Sequence, residues 1–104
     1  MIFCAFKSNK LIGTIALKEN LILGFYVSYF FRNNRIGTKL LDYLEAYALN
    51  NEIKKVRLTT TPSAFDFYTK KEYMVKKNVI FSIYGVDYPE VEMEKELSNR
   101  SQVQ

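Results

Sequence analysis

Four residue types in one short stretch could do chemistry together. In Arg32-Asn33-Asn34-Arg35-Ile36-Gly37-Thr38 two guanidinium groups flank two amides, and a glycine and a threonine follow. Arginine presents a planar fork of donors that suits a carboxylate or phosphate. If a helix begins here, the first backbone N–H groups have no carbonyl behind them and point out over the turn. Those N–H groups, the positive end of the helix dipole and the two arginines together make an anion site. A phosphate or pyrophosphate is the natural guest.

The flanking elements must position that stretch. Leu21 to Phe31 is a long apolar run rich in aromatic and β-branched residues, which predicts a buried strand. Leu40, Leu41, Leu44 and Ala48 follow at the spacing of one helical face, so a helix is expected from about Ile36 to Asn50-Asn51, the two asparagines serving as a left-handed cap. Ahead of the long strand, Ile2 to Phe6 and Leu11 to Leu17 read as two strands joined by a turn at Ser8-Asn9-Lys10. Lys18-Glu19-Asn20 turns the chain into the third, completing an antiparallel meander. Gly24 inside the third strand suggests a bulge or a close backbone approach.

Beyond the helix, Lys54 to Thr61 alternates as a strand, and strand–helix–strand order allows it to lie parallel to the third. Thr61-Pro62 reads as an N-cap followed by proline at the first helical position, starting a second helix to about Lys71. Tyr73 to Tyr84 returns to strand character, Gly85 to Pro89 reads as a turn, and Val91 to Leu97 as an edge strand with a glutamate face. Ser98 to Gln104 is a polar tail expected to fray.

Composition narrows the functional classes. The 104 residues suit one domain spanning residues 1–97, and a hydrophobic content of 48% supports a core. The net charge of +4 favours anionic ligands but is mild and scattered over several elements, which argues against a nucleic-acid binder. There is no histidine, so imidazole bases and histidine metal ligands are excluded, and the lone Cys4 can form neither an internal disulfide nor a cysteine metal site. No metal is expected. The start lacks the pattern of a secretory signal, and the longest apolar run is too short for a bilayer, which needs ~20 residues. A cytoplasmic protein without a membrane partner is expected.

Two segments carry a family resemblance. Arg32-Asn33-Asn34-Arg35-Ile36-Gly37-Thr38-Lys39-Leu40-Leu41, after a strand holding Phe25-Tyr26-Val27, is similar to the Q/R-x-x-G-x-G/A loop of the GNAT superfamily of acyl-CoA-dependent N-acyltransferases. Ala64-Phe65-Asp66-Phe67-Tyr68-Thr69-Lys70-Lys71-Glu72-Tyr73 is similar to that family's A-x-x-F-Y-x-K-x-G-F. Arg32, Gly37, Ala64, Phe67 and Tyr68 match. Arg35 and Glu72 stand where glycines are usual, and Tyr73 replaces phenylalanine. The resemblance implies an α+β (α/β) fold: a mixed, mostly antiparallel six-stranded sheet, a central parallel pair splayed apart, and two main helices. The family's usual first strand and first helices have no counterpart before Ile2.

The resemblance also implies an activity: transfer of an acetyl group from acetyl-CoA to a primary amine by direct attack. The cofactor would lie along Tyr26 and Val27, its pyrophosphate held by Arg32, Asn33, Asn34, Arg35, Ile36, Gly37 and Thr38, with Thr61 and Phe67 alongside. Arg35 leaves two options open, a backbone that approaches the phosphates as glycine would or a guanidinium that clamps an oxygen. A backbone N–H of the strand holding Val27 would polarise the thioester carbonyl. Tyr68 is the expected acid toward the departing thiolate. Glu19 is a candidate base, provided the third strand extends back to it and puts it on the face of Leu21. With the helices that normally wall the acceptor side missing, a homodimer is expected. The competing reading is a catalytically weak acyl-CoA-binding or dimerisation module of the same fold.

Overall fold

The computed structural model describes residues 1–98, with the backbone alone at Asn33. The tail from residue 99 onward, expected to fray, lies outside the described residues. Among the described residues, six β-strands and two α-helices make the mixed α+β architecture, and the chain resolves into two compact units.

The first unit comprises Met1–Val56 and the segment from Leu97. Strands β1 (Ile2–Lys7), β2 (Lys10–Lys18) and β3 (Leu21–Val27) form the expected antiparallel meander. Helix α1 (Ile36–Asn50) buries Leu40, Leu41, Leu44 and Ala48, the four residues whose spacing announced that face. Its seat on the sheet is set by Gly13 of β2. A Cβ there would come within 2.9 Å of Leu40 Cδ1 and 3.0 Å of Tyr26 O. Only a residue without a side chain lets the helix lie this close.

Three expectations in this unit are corrected. The third strand ends at Val27, not Phe31, and Tyr29–Asn34 form a 3₁₀ helix. Ser28 N–H still donates to Ile12 O, but Phe31 N–H turns back to Ser28 O, which diverts the backbone from the sheet. Aromatic content resembles strand composition, yet Tyr29 and Phe30 are exposed and have no sheet to pack on. Second, the helix end is not capped by a left-handed asparagine. Asn51 has φ −102°, and the left-handed residue is Glu52, φ +63°. Glu52 N–H donates to Leu49 O and Ile53 N–H to Ala48 O, the paired bonds of a Schellman motif. Third, Glu19 lies in the turn between β2 and β3 with φ +55°, not on β3. Lys18 pairs with Leu21 across that turn, so the strand does not extend back to Glu19.

The second unit is Arg57–Glu96. It contains most of β4 (Lys55–Thr60), helix α2 (Phe65–Lys70), β5 (Met74–Ile83) and β6 (Val86–Glu96), with strand order β4-β6-β5. Alternation on β4 buries Val56, Leu58 and Thr60, as its pattern predicts. Thr61-Pro62 does start a helical segment, but the first turn, Pro62–Ala64, is 3₁₀. The Thr61 hydroxyl bonds to Ser63 Oγ at 2.8 Å and caps no backbone N–H; Thr61 O accepts from Ala64 N–H instead. The turn expected over Gly85 to Pro89 is confined to Tyr84-Gly85, both at positive φ, and β6 already begins at Val86. Two consecutive positive-φ residues suit a two-residue hairpin. β6 is not an edge strand: it lies between β4 and β5 and buries Val91 and Met93, which leaves β5 at the end of the order.

Candidate functional site

The candidate anion site is built within the first unit, and its geometry starts with a bulge. Gly13 pairs with Val27 and Thr14 with Tyr26, but Ala16 pairs with Leu23. Gly24 and Phe25 therefore both oppose Ile15. Gly24 takes φ +60°, which the missing side chain permits, and its carbonyl accepts a 2.8 Å bond from Thr14 Oγ1. The extra residue switches the strand's faces. Ile22 is buried before it; after it Phe25 and Val27 are the half-buried positions and Tyr26 points outward. One inserted residue thus re-aims the end of β3 just before the chain leaves the sheet.

The 3₁₀ segment then carries Arg32 to the surface, where its guanidinium lies 5.3 Å from the Tyr29 ring centroid. Such a contact contributes about 0.5–1 kcal/mol when exposed and restricts where the charge can be. Phe31 is half-buried with Lys7 Nζ 5.5 Å from its ring. Asn34 is exposed, and the side chain of Asn33 lies outside the described residues.

Arg35 is the pivot. It has φ +60° and ψ +22°, ends the 3₁₀ segment and begins α1. The arginine thus adopts the left-handed conformation that usually favours glycine, at a steric cost of about 1–2 kcal/mol. The first intrahelical bond runs from Lys39 N–H to Arg35 O, 3.0 Å. The N–H groups of Ile36, Gly37 and Thr38 precede it and have no helical acceptor. Among the described residues no side chain caps this end, and no acid stands in the first turn. Arg35, and Lys39 in that turn, instead set positive charge against the positive pole of the helix dipole. Each such placement is unfavourable by ~0.3–1 kcal/mol. An arriving anion relieves that repulsion and satisfies the open N–H groups together.

The second unit holds the remaining candidates. Tyr68 is buried, packed edge-on against Phe67 at 5.1 Å and Tyr73 at 5.7 Å between ring centroids. Burial removes water from the phenolate and pushes its pKa up to about 12. The phenol is therefore a firmly protonated hydrogen-bond donor at neutral pH. Its helix closes with a second Schellman motif: Glu72 N–H donates to Thr69 O and Tyr73 N–H to Tyr68 O, with Glu72 at φ +72°. Glutamate takes up the left-handed turn at the place where the resembling family has glycine. Thr61 is exposed at the end of β4 and Phe67 is half-buried.

The structure brings Tyr26, Val27, Arg32, Asn34, Arg35, Ile36, Gly37 and Thr38 into one continuous bulge–turn–helix corner. It sets Glu19 apart. The β2–β3 turn is at the Lys18–Leu21 end of the hairpin and the corner follows the Gly13–Val27 end, so β3 itself, at ~3.3 Å per residue, puts about 20 Å between them. Gly13 and Lys39 were missed as contributors. A lone glycine in an otherwise apolar strand was the available signal for the first, and a third cation within the helix's first turn for the second.

Comparison with known proteins covers the residues of this corner. The profile of the acetyltransferase (GNAT) family matches residues 1–73, most of the chain. The chain belongs to the GNAT family. Solved structures agree on the fold. A GCN5-related N-acetyltransferase from Rhodopseudomonas palustris superposes with a TM-score of 0.85 at 26% identity, over 93% of this chain and 61% of that one. An aminoglycoside 6'-N-acetyltransferase complexed with coenzyme A gives 0.78 at 18% identity, over 93% and 72%. A GNAT-family acetyltransferase from Streptococcus pneumoniae gives 0.78 at 17%, over 93% and 66%. The chain thus spans less than two thirds of the first of these relatives. Among curated protein sequences no match is found. No helix among the described residues is long and apolar enough to cross a membrane. Among the described residues no group of three or more His, Cys, Asp or Glu could hold a metal ion.

Proposed function

We propose that this chain is an acetyl-CoA-dependent N-acetyltransferase acting on a primary amine by direct attack. The observation that carries the reading is the charge arrangement at the start of α1. A left-handed arginine that makes no capping bond and a first helical turn without an acid form a site that is strained and self-repelling without an anion. Membership of the family and a neighbour solved with coenzyme A support a diphosphate as that anion.

In this reading the backbone N–H groups of Ile36, Gly37 and Thr38 hold the pyrophosphate, and Arg32 and Arg35 neutralise it. The guanidinium of Arg35, not only its backbone, contacts a phosphate oxygen. The β3 end at Tyr26 and Val27, re-aimed by the Gly24 bulge, supports the pantetheine arm and offers an N–H to the thioester carbonyl, which contributes ~3 kcal/mol to lowering the barrier. The family resemblance adds Thr61 and Phe67 as proposed cofactor contacts. Tyr68 donates a hydrogen bond to the departing sulfur. With its pKa near 12 against ~8.5 for a thiol, full proton transfer from Tyr68 is uphill by several kcal/mol. Its role is stabilisation of the thiolate, with solvent supplying the final proton. The exposed turn position of Glu19 gives it no part, and the amine loses its proton to water.

Calorimetry with acetyl-CoA, followed by free-thiol release with a panel of primary amines, tests the reading. Binding with amine-dependent thiol release is expected. Binding without release for any amine would instead support the acyl-CoA-binding module, and no binding at millimolar ligand would remove both.

A further inference from the structure

Charge is divided unevenly along the chain. Residues 1–41 contain six cations, Lys7, Lys10, Lys18, Arg32, Arg35 and Lys39, against one acid, Glu19, so this stretch carries +5 in a chain whose net charge is +4. Lys18 and Glu19 neighbour each other at the β2–β3 turn, the far end of that hairpin from the corner. The fold gathers the other five. Strands β1 and β2 are joined through Ser8-Asn9, both at positive φ as a two-residue hairpin needs, and Lys7 pairs with Lys10 across that turn. Like charges directly opposite on neighbouring strands repel. Among the described residues neither lysine is in an ion pair. The pair is on the face that α1 covers. Phe3, Ala5 and Lys7 alternate onto one side of β1: the Phe3 ring lies 5.6 Å from that of Tyr47 on α1, and Ala5 pairs with Gly13, beneath Ile36 and Leu40. Two residues further on, Lys7 Nζ lies 5.5 Å from the ring of Phe31, the residue before Arg32. Lys7 and Lys10 thus stand beside the 3₁₀ segment, on the side of the sheet where α1 begins.

We propose that Lys7 and Lys10 bind a second phosphate, the 3′-phosphate monoester on the ribose of acetyl-CoA, and so select the complete cofactor over forms that lack it. The inference rests on the acetyl-CoA reading above and adds a residue pair to it. Charge matching singles out this group. The diphosphate has one negative charge on each phosphorus, and Arg32, Arg35 and the first N–H groups of α1 already answer it. The lysine pair is left over. A phosphate monoester carries about −1.5 to −2 at neutral pH, which two ammonium groups match. A carboxylate would leave one of the two lysines unanswered. Position agrees as well. The 3′-phosphate is one ribose away from the diphosphate, and Lys7 reaches the corner from a strand that supplies nothing else to the anion site. The residue type agrees too. An ammonium on a flexible stem meets a phosphate as a point charge and needs no planar alignment, so it suits a group on the outer end of the ligand.

Calorimetry at low ionic strength with acetyl-CoA and with 3′-dephospho-acetyl-CoA tests the proposal, on the parent chain and on Lys7→Gln/Lys10→Gln. The parent should bind the dephospho form about tenfold more weakly, the loss expected for a charge-assisted phosphate contact. In the double variant acetyl-CoA should fall to the affinity of the dephospho form, and the dephospho form should bind as it does to the parent. Lys18→Gln removes the same kind of charge from the other turn and should keep the parent's preference. Equal affinity of the parent for the two ligands, a preference that survives in the double variant, or one that Lys18→Gln abolishes overturns the proposal and leaves the acetyltransferase reading standing. Should neither ligand bind the parent, both fall. If the double variant does not fold, the parent decides alone: its preference should shrink as salt is raised, and a preference independent of salt overturns the proposal.

Discussion

Replacing Arg35 by glycine separates the two roles proposed for this residue. The backbone there sits at φ +60°. Relieving a left-handed non-glycine residue returns about 1–2 kcal/mol. Glycine's extra freedom in the unfolded chain takes back ~0.5–1 kcal/mol. Removing a cation from the positive pole of α1 returns a further ~0.3–1 kcal/mol. Arg35→Gly is therefore expected to stabilise the ligand-free protein by about 1 kcal/mol, a rise of roughly 4–8 °C in melting temperature for a domain of this size. The same substitution removes the proposed charge-assisted contact to phosphate, worth ~1.5–3 kcal/mol, so acetyl-CoA should bind tenfold or more weakly. Urea unfolding and calorimetry on one preparation read both numbers. A destabilised variant would refute the backbone argument. A variant that binds as tightly as the parent, or tighter, would refute the guanidinium contact and leave the backbone approach alone.

Three other outcomes follow from the same geometry. Gly13→Ala pushes a methyl against Leu40 Cδ1 and Tyr26 O, and should cost about 1–3 kcal/mol in urea unfolding, since the backbone oxygen cannot give way as the leucine can. The Tyr68 phenol, with a folded pKa near 12 against 10 unfolded, binds its proton more tightly in the folded state. Stability is therefore unaffected by this group below pH 10 and falls between pH 10 and 12, by up to about 2–3 kcal/mol, and Tyr68→Phe should flatten that part of the stability–pH curve. At neutral pH, Tyr68→Phe should lower amine-dependent thiol release by ~100-fold while acetyl-CoA affinity is kept; an unchanged rate removes the residue from the chemistry.

The legible parts of the chain were those governed by local periodicity. The leucine face of α1 and the alternation of β4 each fixed an element and its buried side, because the 3.6 and 2.0 repeats are geometric. The Gly24 bulge was flagged by one glycine in a strand. What misled was composition without period. Tyr29-Phe30-Phe31 has strand-like residues, but the hydrogen bond from Phe31 N–H back to Ser28 O closes a turn that no side chain advertises. Left-handed positions were likewise hidden wherever a charged residue holds one. Arg35, Glu52 and Glu72 adopt it because the surrounding helix ends demand it, and each carries the strain. At the candidate site the stretch proposed to bind an anion stood out from arginine, glycine and helix start together. Gly13 was not, because its role depends on a helix that arrives more than twenty residues later.

The central claim is that the corner from β3 into α1 holds a diphosphate on its backbone. Amide chemical shifts followed by two-dimensional NMR during titration with acetyl-CoA, and separately with inorganic pyrophosphate, test it most directly. Both ligands should move the Ile36, Gly37 and Thr38 amides in the same direction, with saturation that weakens as salt is raised. Acetyl-CoA binding that leaves those three resonances in place would contradict the account.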